Sequence, residues 1–262
     1  MDRAFYVYIT TLAAFTGAGA GSFVNCMAWR MVHGGSALSG RSRCPFCGHK
    51  LGARDLLPVF SYAASAGRCR YCGKKISIRY FLTEILMAVV FAGLFLHYQW
   101  KWETLCYMGL SCILLGISLV DLETYRIPRK FLWAAVLWWL VFLPFLTKGV
   151  FSEAFRGLAG ALFLGGMLLA AVLLMDRILG KESMGGGDVK LYAVTGLYVG
   201  IGRGVFLLLL SCVLGLFYCI LKRKSRIPLA PSISLACIAT LFWGEAVVDW
   251  YLGFILAGGM LV

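Results

Sequence analysis

Charged residues are scarce in this 262-residue sequence: Asp, Glu, Lys and Arg make up 14% of it, whereas 61% of the residues are hydrophobic. The mean hydropathy is +0.83, well above that of a soluble domain, in which about a quarter of the residues are charged. The shortage of charge therefore excludes a soluble globular protein. Acidic residues are the scarcer kind, with twelve against 25 basic ones, so each acid near an apolar segment is a candidate for function.

Long runs without charge recur at the length that a helix needs to cross a membrane, about 20 residues. Eight such runs are predicted to span the membrane: 4–29, 81–96, 105–120, 131–147, 158–175, 191–202, 204–221 and 227–243. The first run lacks the basic n-region of a cleavable signal peptide and is too long for one. Residues 250–262 are apolar but short for a ninth crossing, and whether they re-enter the membrane is left open. The prediction is an all-α polytopic membrane protein with about eight transmembrane helices.

Basic residues are concentrated in alternate connections between these runs. Twenty of the 25 Lys and Arg residues lie in the segments 30–79, 121–130, 176–190 and 222–226, and five lie on the opposite side. By the positive-inside rule this asymmetry predicts an N-terminus outside and the loop 30–79 in the cytosol. The basic residues lack the interleaved aromatic residues of a groove that binds single strands. The charge therefore predicts orientation in a lipid membrane, and nucleic acid is not predicted as a partner.

The long cytosolic loop contains two C-x-x-C pairs, in "CPFCGHK" and "CRYCGKK". Cys44 and Cys47 form the first pair, Cys69 and Cys72 the second, and a glycine that permits a tight turn follows each. Four such thiolates suit one tetrahedral zinc ion. Two disulfides, or cysteines present by chance, are the alternatives, and a reducing cytosol argues against disulfides. Iron would use the same ligands, and His49 could replace one thiolate. The prediction is a small loop domain folded by structural zinc, with the other six cysteines as small hydrophobic residues.

Two aspartates stand at the borders of apolar runs. Asp121, in "SLVDLETYRIP", follows the run 105–120, and Asp188, in "SMGGGDVKLY", precedes the run 191–202. The predicted topology places both at the cytosolic face, where two carboxyl groups at one depth could act as an acid–base pair, one protonated and one ionised. The alternatives are a solvated acid at a helix end for Asp121 and an acid stabilised by the helix dipole for Asp188.

Three glycines precede Asp188. Gly185, Gly186 and Gly187 carry no Cβ, so an extended substrate segment could approach the carboxylate closely. The uncharged run that follows, 191–202, would form about 18 Å of helix at ~1.5 Å per residue, short of a ~30 Å hydrocarbon core. This predicts that Asp188 lies below the lipid surface in a water-lined recess, a place where acids are usually functional.

The motifs together resemble those of the bacterial type IV prepilin peptidases, members of the G-x-G-D intramembrane aspartic proteases. The resemblance covers residues 15–245 and runs in order. Its motifs are "GSFVNCMAWR" at 21–30, the two cysteine motifs, "DLETYRIP", "GGGDVKL" and the later "IPLAPSISLA". It implies that Asp121 and Asp188 are the catalytic pair. This sequence differs after the I-P dipeptide, where Arg129 and Lys130 replace the acid or amide that is common there, which leaves substrate preference open.

The resemblance implies two reactions. One is removal of a leader from prepilins and pseudopilins, and the other is N-methylation of the new N-terminal residue with S-adenosylmethionine. Residues 21–80 resemble the part linked to methylation, and Glu84 is a further candidate that could instead pair with Arg79. The implied organisation is a first transmembrane helix at 1–29, a four-cysteine zinc loop at 30–80 and a peptidase domain at 81–262, in the bacterial inner membrane. The place of the methyl donor, the individual substrate and the oligomeric state stay open.

Two other classes of protein fit some of these features. A transporter would use the aspartates as relay acids, but such acids usually lie nearer the middle of the membrane in inverted repeats, and no repeat is evident. A membrane-anchored zinc adaptor would not require the aspartates. A phosphate-binding loop at "GAGAG" is less favoured than close helix packing through Gly17 and Gly21.

Overall fold

The computed structural model describes residues 3–35, 42–146, 149–180, 184–222 and 227–258. Parts of several predicted segments lie outside these ranges: residues 1–2 of the first helix, 36–41 of the loop 30–79, 147 of the run 131–147, 181–183 and 223–226 of the two later basic segments, and 259–262. The chain divides into two compact units, Met1–Glu123 and Thr124–Val262.

The first unit contains four α-helices in its described part. Helices α1 (Arg3–Val32), α3 (Ile78–Tyr98) and α4 (Trp102–Thr124) are long and apolar, and α2 (Phe60–Ala64) is a single short turn within the loop 30–79. Ser77 caps α3, because its hydroxyl accepts the Arg79 N–H at 3.3 Å. At the other end of α3, Tyr98 packs on Tyr107 of α4, with ring centroids 4.9 Å apart. Arg79, at the start of α3, pairs with Glu123, at the end of α4. The two helices therefore run antiparallel.

Helices α1 and α3 approach each other through glycine. A Cβ on Gly17 would collide with the carbonyl of Met87, and one on Gly21 would lie 3.0 Å from the carbonyl of Thr83. Small residues four apart let two backbones meet where larger side chains would hold them apart. The predicted helix contact at Gly17 and Gly21 is therefore confirmed.

The second unit contains four helices in its described part: α5 (Arg129–Phe142), α6 (Val150–Leu179), α7 (Gly186–Lys222) and α8 (Ala230–Gly258). Pro128 precedes α5, and a short 3₁₀ turn, Leu143–Phe145, follows it. Helix α6 ends at Leu179, and the following Gly180 has a φ of 64°, the left-handed conformation that commonly terminates helices.

Helix α7 reverses direction at Gly200, whose φ of 72° and ψ of −174° are not helical. The hydroxyls of Tyr192 and Ser211 lie 2.5 Å apart. In a straight helix these two residues would be separated by about 28 Å, at ~1.5 Å per residue, so the chain must fold back between them. Residues 186–199 and 201–222 are thus two antiparallel arms, as the separate predicted runs 191–202 and 204–221 require.

The first arm of α7 packs closely on α6. Gly160 and Gly196 meet backbone to backbone, since a Cβ on either would collide with the carbonyl of the other. Tyr198 is buried, and its hydroxyl donates to the Ala135 carbonyl of α5 at 2.6 Å. At the reversal, Arg203 donates through Nε to the Val199 carbonyl at 3.1 Å. These contacts hold the short arm in place.

Six helices of the described chain are long and apolar enough to cross a membrane: α1, α3, α4, α6, α7 and α8. The all-α, multi-pass prediction is confirmed. The predicted run 131–147 corresponds to the shorter α5, which has 14 residues, and two predicted runs share α7. Residues 250–258 continue α8 and form no separate helix.

Candidate active site and metal centre

Asp121 lies near the end of α4, where its side chain is buried. The helix ends at Thr124, and Tyr125 then adopts a positive φ of 54°. The ion pair between Arg79 and Glu123 ties this end of α4 to the start of α3. The end of α4 is therefore held in place, and with it the backbone that carries Asp121.

Asp188 lies in the first turn of α7 and is half-buried. Its backbone N–H donates to the Gly185 carbonyl at 3.0 Å. A Cβ on Gly185 would lie 3.4 Å from Asp188 Oδ2, and one on Gly187 would lie 3.2 Å from Ile127 Cβ. A Cβ on Gly186 would meet nothing within 4 Å. The three glycines thus differ: only Gly186 faces open space.

The first arm of α7 is short. It begins at Gly186 and stops before Gly200, which gives a length of about 21 Å at ~1.5 Å per residue, against a ~30 Å hydrocarbon core. This length is consistent with the predicted recess around Asp188. Asp121 belongs to the first unit and Asp188 to the second, so the pairing of the two carboxyl groups stays a prediction.

The four loop cysteines form a cluster that suits a metal. The sulfur atoms of Cys44, Cys47, Cys69 and Cys72 all lie within 4.8 Å of one another. Zinc–sulfur bonds of about 2.3 Å in a tetrahedron separate the sulfurs by about 3.8 Å, and Cys44 Sγ and Cys72 Sγ are 3.9 Å apart. All four cysteines are free of disulfide bonds. The donor set and its spacing fit the predicted zinc ion.

Two equivalent turns present these thiols. In the first, the Cys44 N–H donates to the His49 carbonyl at 3.0 Å, and the Gly48 N–H returns a bond to the Cys44 carbonyl at 2.9 Å. The second turn repeats the pattern around Cys69. Gly48 and Gly73 both have φ of 70°, a conformation that glycine adopts without strain. The glycine that follows each C-x-x-C pair therefore shapes its turn, as predicted.

The thiols hold their protons unequally. Burial raises the pKa of Cys44, but hydrogen bonds from the backbone N–H groups of Cys47 and Phe46 outweigh it and lower this pKa to about 7. The Lys74 N–H lowers the pKa of Cys72, but burial and the neighbouring cysteines raise it to about 11. A bound cation would favour the thiolate at all four positions, because metals bind the deprotonated form.

A polar brace supports the cluster and leaves His49 outside it. The ring of His49 stacks on Tyr71, with centroids 3.6 Å apart, and the Tyr71 hydroxyl donates to Asp55 Oδ2 at 3.1 Å. The Gly52 N–H also donates to Asp55, and with Tyr71 and Arg70 it lowers the pKa of this carboxyl. His49 thus serves the loop by stacking, and the four cysteines remain the ligand set.

Glu84 is buried on α3 and tied to the loop. Its Oε2 accepts the Val59 N–H at 2.7 Å. Val59 has a positive φ of 65°, which is strained for a β-branched residue, and the bond to Glu84 holds this conformation at the start of α2. Arg79, the alternative partner, pairs with Glu123 instead. Among the described residues, Glu84 forms no ion pair.

Asn25 lies in the same region, and no role was predicted for it from the sequence. It lies on α1 with no exposed surface, and its Nδ2 donates to Thr83 Oγ1 on α3. Its Oδ1 is buried with no hydrogen-bond donor among the described residues. The signal in the sequence was a carboxamide inside an apolar run, within "GSFVNCMAWR".

Comparison with known proteins covers both parts of the chain. Residues 15–98 match the bacterial peptidase A24 N-terminal domain, and residues 108–220 match the type IV leader peptidase family. A prepilin leader peptidase/N-methyltransferase of Aeromonas hydrophila is 33% identical over 223 residues, 81% of this chain and 74% of that protein. The chain belongs to this family. Proteins of the same name from Pseudomonas aeruginosa and Bacillus subtilis are 30% and 27% identical over 227 and 243 residues, which are 81% and 88% of this chain and 75% and 93% of those proteins. No solved structure matches the chain.

The two matched segments separate the candidate sites of this prepilin peptidase relative. The first contains the cysteine cluster, Asn25 and Glu84, and the second contains Asp121 and Asp188. Membership of an enzyme family embedded in a membrane agrees with the six apolar helices. The match to an enzyme family argues against the transporter and the adaptor.

Proposed function

We propose that the protein removes the leader of type IV prepilins and pseudopilins at the cytosolic face of the bacterial inner membrane and then methylates the new N-terminus. The observation that carries the proposal is the match of both halves of the chain to this family. The two motif aspartates lie on helices that are long and apolar enough to cross a membrane. The excess of basic residues in alternate loops supports an N-terminus outside and an active site that faces the cytosol.

Asp121 and Asp188 are proposed to cleave the leader as an acid–base pair. Asp188 lies in the first turn of α7, where the positive end of the helix dipole stabilises a carboxylate, which suits the group that activates water. Asp121, buried in the last turn of α4, is proposed as the acid of the pair. It would protonate the leaving amine. Gly186 would leave room for the extended cleavage segment.

Methylation is proposed to use the part of the chain before the peptidase domain. Zinc bound by the four cysteines would fold the loop 30–80, which is too small and polar to build its own core. S-adenosylmethionine would supply the methyl group, and Glu84, tied to this loop through Val59, is a candidate for the methylation site. Residues 1–29 would anchor the loop, and 81–262 would form the peptidase domain.

The proposal is tested by incubating the purified protein in detergent with a prepilin. Wild-type protein is expected to release the leader, and Asp121→Asn and Asp188→Asn are expected to lower the rate at least a thousandfold, because neither carboxyl group can perform both proton transfers. Membrane insertion and thermal stability serve as controls for folding. Substantial cleavage by both variants would refute the dyad, whereas no cleavage by the wild type would refute the peptidase assignment.

A further inference from the structure

The contact between α1 and α3 buries a side-chain amide that has one unsatisfied hydrogen-bond acceptor. Gly21 lets the two helices meet, and Asn25, one turn further along α1, is enclosed completely. Its Nδ2 group donates to Thr83 Oγ1, but its Oδ1 has no donor among the described residues. Buried polar groups in proteins are nearly always hydrogen-bonded. The Asn25 oxygen is therefore able to accept a hydrogen bond from a donor outside the described chain.

The orientation of this amide follows from Thr83. The Thr83 hydroxyl lies 2.9 Å from the carbonyls of both Arg79 and Tyr80, so its single hydrogen is used within its own helix. Toward Asn25 the Thr83 oxygen can therefore only accept a hydrogen bond, so the Asn25 amide nitrogen must be the donor. The atom without a partner is consequently an acceptor, and the missing group is an N–H or O–H donor.

A second acceptor lies at the same turn of α3. Glu84 follows Thr83 directly, is buried, and forms no ion pair among the described residues. Its Oε2 accepts one backbone N–H, from Val59. A buried carboxylate is stable when a cation or several donors face it. Within the described chain, Asn25 Oδ1 has no donor and the Glu84 carboxylate has one, and the two residues are linked through Thr83, which bonds Asn25 and precedes Glu84. Two such acceptors suit a primary amine, which brings two or three N–H groups.

We propose that Asn25 Oδ1 and the Glu84 carboxylate bind a primary amino group in the methylation reaction. The inference rests on the proposed methyltransferase function and adds the amine-binding site. Two reactants carry such a group: the new N-terminus of the pilin and the α-amino group of S-adenosylmethionine. The geometry favours the pilin amine, because a neutral amine has two N–H bonds for the two acceptors and keeps its lone pair for the methyl carbon.

In the transfer step, the amine lone pair forms the N–C bond as the S–C bond of the sulfonium donor breaks. The sulfur keeps that electron pair and becomes a neutral thioether, and the nitrogen becomes an N-methylammonium group that then loses a proton to water. Asn25 and Glu84 hold the N–H bonds and exchange no atoms with the donor. Loss of either side chain should weaken binding of the amine more than it lowers the rate of methyl transfer to the bound amine.

The test uses the full chain in detergent, a pilin whose leader has already been removed, and S-adenosylmethionine with a labelled methyl group. Asn25→Leu removes the acceptor at similar volume, and Glu84→Gln keeps an oxygen for the Val59 N–H but removes the charge. Glu84→Gln is expected to raise the KM for pilin about tenfold or more, because it weakens a hydrogen bond to a charged group, and Asn25→Leu about two- to tenfold, because it removes a bond between neutral groups. Both variants should change kcat less than KM. Ser111→Ala is the matched control, because Ser111 is equally buried and its hydroxyl bonds within α4 at 2.8 Å.

Binding of S-adenosylmethionine without pilin separates the two amines. Unchanged donor affinity with a raised KM for pilin supports the pilin amine, whereas weakened donor affinity with an unchanged KM for pilin overturns that choice in favour of the donor. Leader removal by the same preparation reports whether a variant has folded. Unchanged KM values for both reactants in Asn25→Leu and Glu84→Gln overturn the amine site. A wild-type chain that transfers no methyl group refutes the methylation and this inference with it.

Discussion

Adding one methyl group at Gly186 should raise stability and lower activity. Gly186 is exposed at the first position of α7, its φ is not positive, and a Cβ there would meet nothing within 4 Å. Gly186→Ala therefore strains nothing in the free protein. Because alanine restricts the unfolded chain more than glycine does, the free energy of unfolding should rise by about 0.4–1 kcal/mol.

The effect on cleavage has the opposite sign if the open space at Gly186 receives the substrate. An extra methyl group in a close-packed contact costs about 1–3 kcal/mol, which corresponds to a decrease of about 5- to 150-fold in kcat/KM. The assay is initial-rate cleavage of a prepilin, beside thermal unfolding of the same preparation. A kcat/KM equal to that of the wild type would refute the role of Gly186 in substrate approach.

Gly187→Ala is the matched control, since it adds the same group one residue later. There the Cβ would lie 3.2 Å from Ile127 Cβ, closer than ordinary contact, so Ile127 must move by a few tenths of an ångström. The expected result is a lower stability, by up to about 1–3 kcal/mol. Slower cleavage by Gly186→Ala together with a raised stability cannot come from disturbed packing, whereas any slowing in Gly187→Ala would accompany a lowered stability.

Three further outcomes are expected. The purified protein should contain about one zinc ion per chain, and replacing Cys44 and Cys69 by serine should remove it and expose the loop to protease; metal analysis that finds neither zinc nor iron would contradict the site. Asp121→Ala should still methylate a pilin without its leader, and withholding S-adenosylmethionine should not stop leader removal, as mass spectrometry of the pilin N-terminus would show; cleavage that requires the donor would mean that the steps are coupled. A double-mutant cycle of Tyr192→Phe and Ser211→Ala should give a coupling of about 0.6–1.7 kcal/mol, whereas no coupling would contradict the reversal at Gly200.

The sequence predicted those features that arise from local chemistry. Apolar length predicted the long helices, and the two cysteine turns could be read from spacing alone, because four thiols and two glycines leave few other arrangements. The close contact at Gly17 and Gly21 followed from residue size. In each case a short stretch of chain contains all the atoms that decide the outcome.

The features that the sequence did not predict depend on partners far along the chain. From the predicted topology Arg79 could pair with either Glu84 or Glu123. It pairs with Glu123 because α3 packs beside α4. The Asn25 amide is oriented, with its oxygen left unpaired in the described part of the chain, by its hydrogen bond to Thr83, which is 58 residues away in the sequence. The shortness of α5 was hidden because residues 143–147 continue its apolar run, although the helix gives way to a 3₁₀ turn at Leu143.

Polar residues in the apolar helices divide by whether their own helix can satisfy them. The hydroxyls of Ser111, Ser118 and Thr240 each donate to the carbonyl four residues earlier, at 2.7–2.8 Å, so they can lie anywhere in a span at little cost. An ionised carboxylate has no hydrogen to donate, and a protonated carboxyl or a carboxamide that donates still has an oxygen to satisfy. Such groups must find partners outside their own helix, in a neighbouring segment, water or a substrate. This is the physical reason why Asp121, Glu84 and Asn25 mark the places where chemistry is proposed, while the buried hydroxyls do not.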